Sequence, residues 1–297
     1  MKLRYLVGMN HDETTDEPAA VISEREPGVY PDLSSHDYHS GPGISNTDLG
    51  LLLRSPAHYM AKDSFVETAA MLLGRAFHTL ILEPELFDAE FAIWDGPSRA
   101  TTKGKEMWAE FQIEHAGKDV ITPKQEVDAR AMAKSALAHP GARVLLDGAT
   151  REQSLFWRDE ETGVLCKCRH DCILPDGTGV DFKSTIDARR EKFFKSAYDL
   201  GYHRQGDFYS EGRRRALGID DAPFIWFAIE KTPPFAVKLH FMDEAQAELG
   251  NVEWRKAVRI YAECDAAGKW PAYSPDIEAL GLPAWAAKPT EITEPGE

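Results

Sequence analysis

The chain has 297 residues, of which 43% are hydrophobic, and carries a formal net charge of −15. A chain of this length buries a full apolar core, and its negative charge argues against a protein that coats DNA nonspecifically, because phosphate contacts require Lys and Arg. It contains neither an apolar run of about 18 residues nor a charged-then-apolar leader, so we expect a protein of the bacterial host cytoplasm.

The two ends of the chain are polar and lack apolar spacing. We predict a flexible arm over residues 1–27, with one short strand in 3–7, and a flexible charged tail over residues 287–297. Between them, residues 28–286 are expected to form a single domain. No internal repeat interrupts this range.

Two early helices are predicted from capping and apolar spacing. Ser45 with Asp48 forms a capping box that begins the first helix. The second covers residues 67–82, where Gly74 and His78 lie one turn apart beside an apolar stripe. A lone histidine on such a helix is more often a packed core residue than a metal ligand, so both interpretations stay open.

The centre of the chain predicts a β-hairpin. Two apolar runs, residues 165–174 and 178–184, flank a Pro-Asp-Gly turn signal. With a three-residue loop, the register places Asp171 opposite Asp181. Carboxylates whose Cβ atoms are roughly 4.5 to 5.5 Å apart repel each other, so the pair indicates a divalent cation between them.

Lys183 completes this pattern. Because side chains alternate along a strand, it is expected on the same face as Asp181. Mg²⁺ prefers one or two carboxylates together with water and phosphate oxygens. Such an ion activates water and neutralises a scissile phosphate, while a lysine orients or deprotonates the nucleophile. The pattern therefore indicates phosphodiester hydrolysis, although an isolated Asp-x-Lys is more often a solvated surface hairpin.

Helices and strands are predicted to alternate after the hairpin. Helices at 188–197 and 202–217 come first, the second with Gln205 and Tyr209 one turn apart on one face. The remaining predicted elements are strands at 223–231 and 235–242 and a long helix at 243–266.

Taken in chain order, the polar motifs resemble the RecB-like branch of the PD-(D/E)xK nuclease superfamily. The motifs are Gly74-x-x-x-His78, Glu152 at the start of a predicted strand, Asp171, Asp181-Phe182-Lys183 and Gln205-x-x-x-Tyr209. More narrowly, residues 44–59, 73–78 and 163–169 are similar to the RecE-type (exodeoxyribonuclease VIII-like) nuclease domain of phages and prophages. The resemblance implies a restriction-endonuclease-like α/β core, in which helices flank a mixed central β-sheet.

The resemblance also implies roles for single residues. His78, Asp171, Asp181 and the backbone carbonyl of Phe182 would bind Mg²⁺, or Mn²⁺ in its place, and Lys183 would be the catalytic lysine. Asp181 replaces the superfamily's more common Glu, as it does in RecE-type members. Residues expected to support the metal or position the DNA are Glu152, Gln205, Tyr209, Arg75 and Arg169.

Basic residues are expected to line a DNA channel inside an acidic shell. The candidates are Arg54, Arg75, Lys103, Lys105, Lys167, Arg169, Arg189, Arg190, Lys192, Lys195 and the run Arg213-Arg214-Arg215. For the arginine run, a solvated helix surface is an equally favoured alternative.

Four cysteines leave two interpretations. Cys166, Cys168, Cys172 and Cys264 match the number of ligands in an iron–sulfur or zinc site, and some RecB-like nucleases carry such clusters. The spacing is poor for a cluster. The three strand cysteines have the parity opposite to Asp171, so we predict that they point into the core as small apolar side chains.

The resemblance implies a metal-dependent 5′–3′ exonuclease that degrades linear double-stranded DNA to 5′-phosphomononucleotides. The remaining 3′ single strands would serve a phage annealing recombinase in DNA recombination. Relatives imply a homo-oligomeric ring, with a tetramer favoured, and no membrane partner. Two alternatives stay open: a RecB-like nuclease that cuts internally or acts on single strands, and a non-catalytic module that binds DNA ends or a recombinase.

Overall fold

The computed structural model describes residues 25–62, 67–277 and 279–281. Most of the expected N-terminal arm, including its strand at 3–7, and all of the tail at 287–297 lie outside these residues. Within the described part of the chain, no helix is both long and apolar enough to cross a membrane.

The strands and helices account for most of the described residues. The strands are β1 (Gly28–Tyr30), β2 (Phe91–Ile93), β3 (Asp119–Ile121), β4 (Thr150–Arg158), β5 (Leu165–Ile173), β6 (Gly179–Thr185), β7 (Phe224–Glu230) and β8 (Val237–Phe241). The helices are α1 (Ser35–Ser40), α2 (Asn46–Arg54), α3 (Pro56–Met60), α4 (Ala69–Leu82), α5 (Phe87–Glu90), α6 (Thr102–Glu114), α7 (Pro123–Ala138), α8 (Pro140–Leu146), α9 (Arg190–Asp199), α10 (Tyr202–Leu217) and α11 (Glu244–Ala267).

A six-stranded sheet in the order β1-β4-β5-β6-β7-β8 forms the centre of the fold. The β6–β7 pair is parallel and the other pairs are antiparallel. The parallel pair requires a crossover connection, which α9 and α10 provide. The predicted α/β fold with a mixed central sheet flanked by helices is confirmed.

Local sequence signals place several helix ends correctly. Ser45 and Asp48 form the predicted capping box of α2, and Thr122 and Gln125 form another at α7. The helix predicted over 67–82 is α4. The predictions omit the short pair β2–β3 and helix α6 between them, because these segments have little apolar periodicity.

Two large apolar clusters cover the two faces of the sheet. One packs α4 and α7 against Val180 and Phe182 of β6. The other packs α2, α10 and α11 against Leu155 of β4 and Cys168 of β5. Side chains on one strand alternate between these clusters, so β6 is placed between two layers of helices.

The cysteines are buried and free. Cys166 and Cys168 pack in the cluster around α10, as expected, but Cys172 packs in the cluster around α4. The prediction that all three share one face is therefore wrong for Cys172. The physical reason is a local distortion, since the β4–β5 ladder has no pair between Glu152 and Asp171. In the described residues, the group of side chains able to hold a metal contains no cysteine.

Arg213 is one of the most deeply buried large side chains, with 1% of its surface exposed. Its guanidinium donates to the backbone carbonyls of Gly177, Pro223 and Ala222 and to the Ser210 hydroxyl. Both expectations for this residue, a DNA channel and a solvated surface, are wrong. Arg213 instead ties the hairpin turn to the loop before β7, because these interior carbonyls need donors.

We expect Arg213→Met to destabilise the protein by about 3 kcal/mol, since three carbonyls each lose a hydrogen bond from the guanidinium while the side-chain volume is roughly kept. Arg214→Met is the matched control. Arg214 is the next residue of the same run, is 41% exposed and pairs with Glu211, so its loss should cost less than about 1 kcal/mol. Urea unfolding of both variants measures the difference, and equal costs would contradict the assigned role.

Candidate active site

The candidate site lies where β5 and β6 separate. Their ladder ends at the pair Cys172–Val180, and extending that register by one position brings Asp171 opposite Asp181, as predicted. No ladder pair forms there. Phe182 donates its backbone N–H to Asp171 Oδ2 across 2.6 Å instead. The gap between the strands lets side chains from both helical layers meet.

His78 reaches this gap from α4. Its Nε2 lies 2.6 Å from the carbonyl oxygen of Phe182, and its Nδ1 lies 3.5 Å from Asp171 Oδ2. Burial lowers the pKa of His78 despite the nearby carboxylates of Asp181 and Glu152. A neutral imidazole that donates from Nε2 to the carbonyl leaves an Nδ1 lone pair facing a carboxylate oxygen. Two acceptors that face each other in this way favour a cation between them.

Glu152 on β4 is the third member of the group. One ligand atom from each of His78, Glu152 and Asp171 lies within 4.8 Å of the others. Glu152 has a φ of 48°, a left-handed conformation that is uncommon outside glycine and concentrates at functional sites. Arg169 donates from Nε to Glu152 Oε2 across 2.5 Å and so fixes the carboxylate.

Asp181 reaches the gap from the other side of the sheet, next to α10. Its Oδ1 accepts a hydrogen bond of 2.6 Å from Gln205 Nε2. Its Oδ2 is buried and pairs with the Lys183 ammonium, whose Nζ lies 2.6 Å away. A buried carboxylate needs such a cation or hydrogen-bond donors.

The pKa values of the carboxylic acids show the effects of burial and of mutual repulsion. Burial and then the charge of Asp181 raise the pKa of Asp171 well above its usual range. Burial and then Asp171 raise the pKa of Glu152 to about 7. Oxygen donors, one imidazole and excess negative charge match the preferences of Mg²⁺ and Mn²⁺. The residues present therefore fit a divalent cation.

Lys183 remains a cation at neutral pH. Burial lowers its pKa, but Asp181, Tyr202 and Asp171 together outweigh burial, so the net pKa is raised. Its Nζ also lies 4.7 Å from the centre of the Tyr202 ring. These contacts favour a lysine that orients a nucleophile and stabilises negative charge over one that deprotonates water.

Gln205 and Tyr209 act together behind Asp181. Besides its bond to Asp181, Gln205 hydrogen bonds with Tyr209. The Tyr209 ring packs 4.9 Å from the His170 ring and 6.1 Å from Phe224. The structure thus places this pair where it holds a carboxylate of the site, and sequence reasoning gave no reason for that contact.

The predicted basic residues divide by burial. Lys167 is 4% exposed and donates to the carbonyls of Tyr38 and Gly41, so its assignment to a DNA channel is wrong because interior acceptors take its protons. Arg169 also faces inwards, towards Glu152. Arg75 is half-exposed and binds two acidic side chains. These are Glu67, at 2.8 Å, and Asp119, at 2.6 Å.

We expect the metal-free protein to lose stability as the pH rises from 4.5 to about 7, the window between the ordinary and the raised pKa of Glu152. In this window the folded state binds more protons than the unfolded state, so stability falls with pH. The loss approaches about 3 kcal/mol, at about 1.36 kcal/mol per pH unit. Glu152→Gln should remove this contribution and leave only the one from Asp171, whose pKa is also raised. Thermal denaturation across this range in chelator tests both proteins, and parallel curves would contradict the prediction.

Two comparisons relate this chain to known proteins. Residues 45–283 match the family model described as a PDDEXK-like domain of unknown function (DUF3799). No curated protein matches the chain.

Solved structures give a second comparison. A protein of Eubacterium rectale named as a candidate exonuclease has a TM-score of 0.57 at 13% identity, over 84% of this chain and 95% of that chain. A phage-related exonuclease from Haemophilus somnus 129PT has a TM-score of 0.29 at 13% identity, over 65% of this chain and 94% of that chain. At this identity, the first structure shows that the two chains share a fold.

Proposed function

Because the chain belongs to the family described as a PDDEXK-like domain of unknown function, we propose that it is a metal-dependent nuclease of the PD-(D/E)xK type. The observation that carries the proposal is the convergence of His78, Glu152 and Asp171 ligand atoms within 4.8 Å. The Lys183–Asp181 ion pair lies on β6, the strand next to the one that carries Asp171. Ligands for a hard cation and a fixed ammonium are the groups that phosphodiester hydrolysis requires.

The site residues divide the work as follows. Asp171, Asp181, His78 and Glu152 would hold the cation, with the Phe182 carbonyl as a further oxygen donor. The cation, when bound, lowers the pKa of a water and neutralises charge on the scissile phosphate. Lys183, which is an ammonium at neutral pH, orients the attacking water and stabilises the charge that develops on the phosphate.

Other residues position the ligands. Gln205, with Tyr209 behind it, fixes one oxygen of Asp181. Arg169 fixes Glu152 and is itself anchored to the Leu33 carbonyl across 2.6 Å. Rigid supporting contacts of this kind keep catalytic groups in a productive geometry.

The RecE-type resemblance extends the proposal to a 5′–3′ exonuclease that degrades linear double-stranded DNA from its ends. It also supports a single domain over residues 28–286, a homo-oligomeric ring with a tetramer favoured, and delivery of 3′ single strands to an annealing recombinase. Support comes from the motif series in the sequence and from the exonuclease name of the Eubacterium rectale protein, which has the same fold.

The test compares end-labelled linear duplex with covalently closed circular duplex, with and without Mg²⁺. Release of mononucleotides from linear DNA alone, only with the metal, is the expected result. Labels at the 5′ and 3′ ends report the direction. Cleavage of the circle would replace the exonuclease with an internal nuclease, and no metal-dependent release from either substrate would leave a non-catalytic DNA-binding module.

A further inference from the structure

Large apolar side chains are exposed along the segment that follows β6, the strand that carries Asp181 and Lys183. Ile186 is 86% exposed, Phe194 61%, Tyr198 58% and Leu200 60%. Single exposed apolar residues are common on soluble proteins, but neighbouring ones mark interaction surfaces. All four lie between the end of β6 and the start of α10.

Helix geometry puts two of these rings side by side. Phe193 and Ala197 form the buried face of α9. Phe194 and Tyr198 are four residues apart and therefore adjacent on the outer surface. The Tyr198 ring stacks on the His203 imidazole, with centroids 5.5 Å apart and an interplanar angle of 16°, so this ring is already held in place.

Free cations flank the two rings. Arg190 and Lys195 are exposed, and no salt bridge or hydrogen bond to another described residue engages their side chains. Helix geometry places Glu191 on this side of α9 as well, and Lys192 on the far side. We call Arg190, Phe194, Lys195 and Tyr198 the α9 face. It combines flat apolar surface with a net positive charge, in a chain whose net charge is −15.

Helix α9 is joined to the active site by ring contacts on its inner side. Phe193, on that side, lies 5.9 Å from the Tyr202 ring. Tyr202 in turn lies under the Lys183 ammonium, at 4.7 Å. The α9 face is the opposite side of this helix, so a strand bound on it would be separated from Tyr202 by the width of α9.

We propose that the α9 face binds unpaired nucleotides of a DNA strand on the outer surface of the helix that packs against the active site. Its rings stack on bases and its cations pair with phosphates, a combination typical of single-strand binding. A protein-docking surface is less favoured, because Lys is depleted in the core of protein interfaces. The inference rests on the proposed nuclease function and adds a binding surface to it.

The test measures binding of a fluorescent oligothymidylate by anisotropy, in chelator so that no cleavage occurs. We expect the double variant Phe194→Ala/Tyr198→Ala to bind at least roughly tenfold more weakly than the wild type, since each stacked base contributes substantially to affinity. The control variant Ile113→Ala/Val144→Ala removes two apolar side chains that are 80% and 68% exposed on α6 and α8, and it should bind normally. Thermal denaturation checks that both variants fold.

The charge part of the proposal has its own readout. Arg190→Gln/Lys195→Gln should weaken binding and reduce the dependence of affinity on salt concentration. With fewer phosphate contacts, fewer counterions are released when the oligonucleotide binds. Unchanged oligonucleotide affinity in both α9 double variants would overturn the proposal. So would a wild type that does not bind the oligonucleotide, or ring substitutions that alter only subunit association in sedimentation.

These outcomes are separable from the nuclease test. If the wild type releases no nucleotides while the α9 variants bind the oligonucleotide more weakly than it does, the proposed nuclease function is wrong and the proposed role of the α9 face is supported. If the wild type degrades linear DNA and the α9 variants bind as the wild type does, the nuclease function is supported and the role of the α9 face is wrong.

Discussion

Lys183→Gln is expected to reduce metal-dependent nucleotide release by about 10²–10³-fold, the usual cost of removing one group that stabilises transition-state charge. Gln is chosen because its amide still offers a donor to Asp181 Oδ2, whereas Ala would leave that buried oxygen without its partner. The fold and the affinity for DNA in chelator should therefore be largely retained. Release of labelled nucleotides and thermal denaturation are measured on the same preparations.

The control for Lys183→Gln is Lys134→Gln, the same change at an exposed lysine of α7. It should leave both activity and stability unchanged. Wild-type turnover by Lys183→Gln would remove the lysine from the mechanism and weaken the assignment of the site as a whole.

Asp171→Asn is expected to raise the stability of the metal-free protein and to lower its stability relative to the wild type when metal is bound. In chelator it should stabilise the protein by roughly 1 kcal/mol, because it removes one of several opposed carboxylates, while the Asn oxygen still accepts the Phe182 N–H. With Mg²⁺ or Mn²⁺ at a hundredfold excess over its dissociation constant, the wild type should gain about 2.7 kcal/mol. The variant should gain little, and its nuclease activity should be lost.

Thermal denaturation with stepwise addition of metal measures both effects of Asp171→Asn without reference to activity. Asp220→Asn, at an exposed position before β7, is the control and should respond to metal as the wild type does. If Asp171→Asn were stabilised by metal as strongly as the wild type, Asp171 would not be a ligand.

The β5–β6 hairpin shows which structural features local sequence rules predict. The Pro-Asp-Gly turn and the alternation of side chains predict the register, and the observed pair Cys172–Val180 agrees with it. Neither rule predicts that the ladder stops at that pair. The stop arises because Phe182 gives its N–H to a side chain, an exchange that depends on the surrounding packing.

Arg213 and Glu152 show what the sequence could not reveal. A run of three arginines predicts exposure, yet Arg213 is 1% exposed, because carbonyls from loops distant in sequence converge on it. Glu152 was singled out only by resemblance. Its place in the group follows from a φ of 48° and from Arg169, neither of which leaves a signal in the local residue pattern.

The sequence by itself determined the capped helices, the β5–β6 hairpin and the register that brings Asp171 opposite Asp181, because capping, periodicity and turn chemistry act between near neighbours. The family resemblance added His78 and Glu152. Only the tertiary structure decided which side chains meet. Asp171 contacts His78 of α4 and Asp181 contacts Gln205 of α10, so the site draws on both layers of helices. Such meetings depend on how layers pack across a sheet, and contacts between residues far apart in the chain are set by that packing rather than by local pattern.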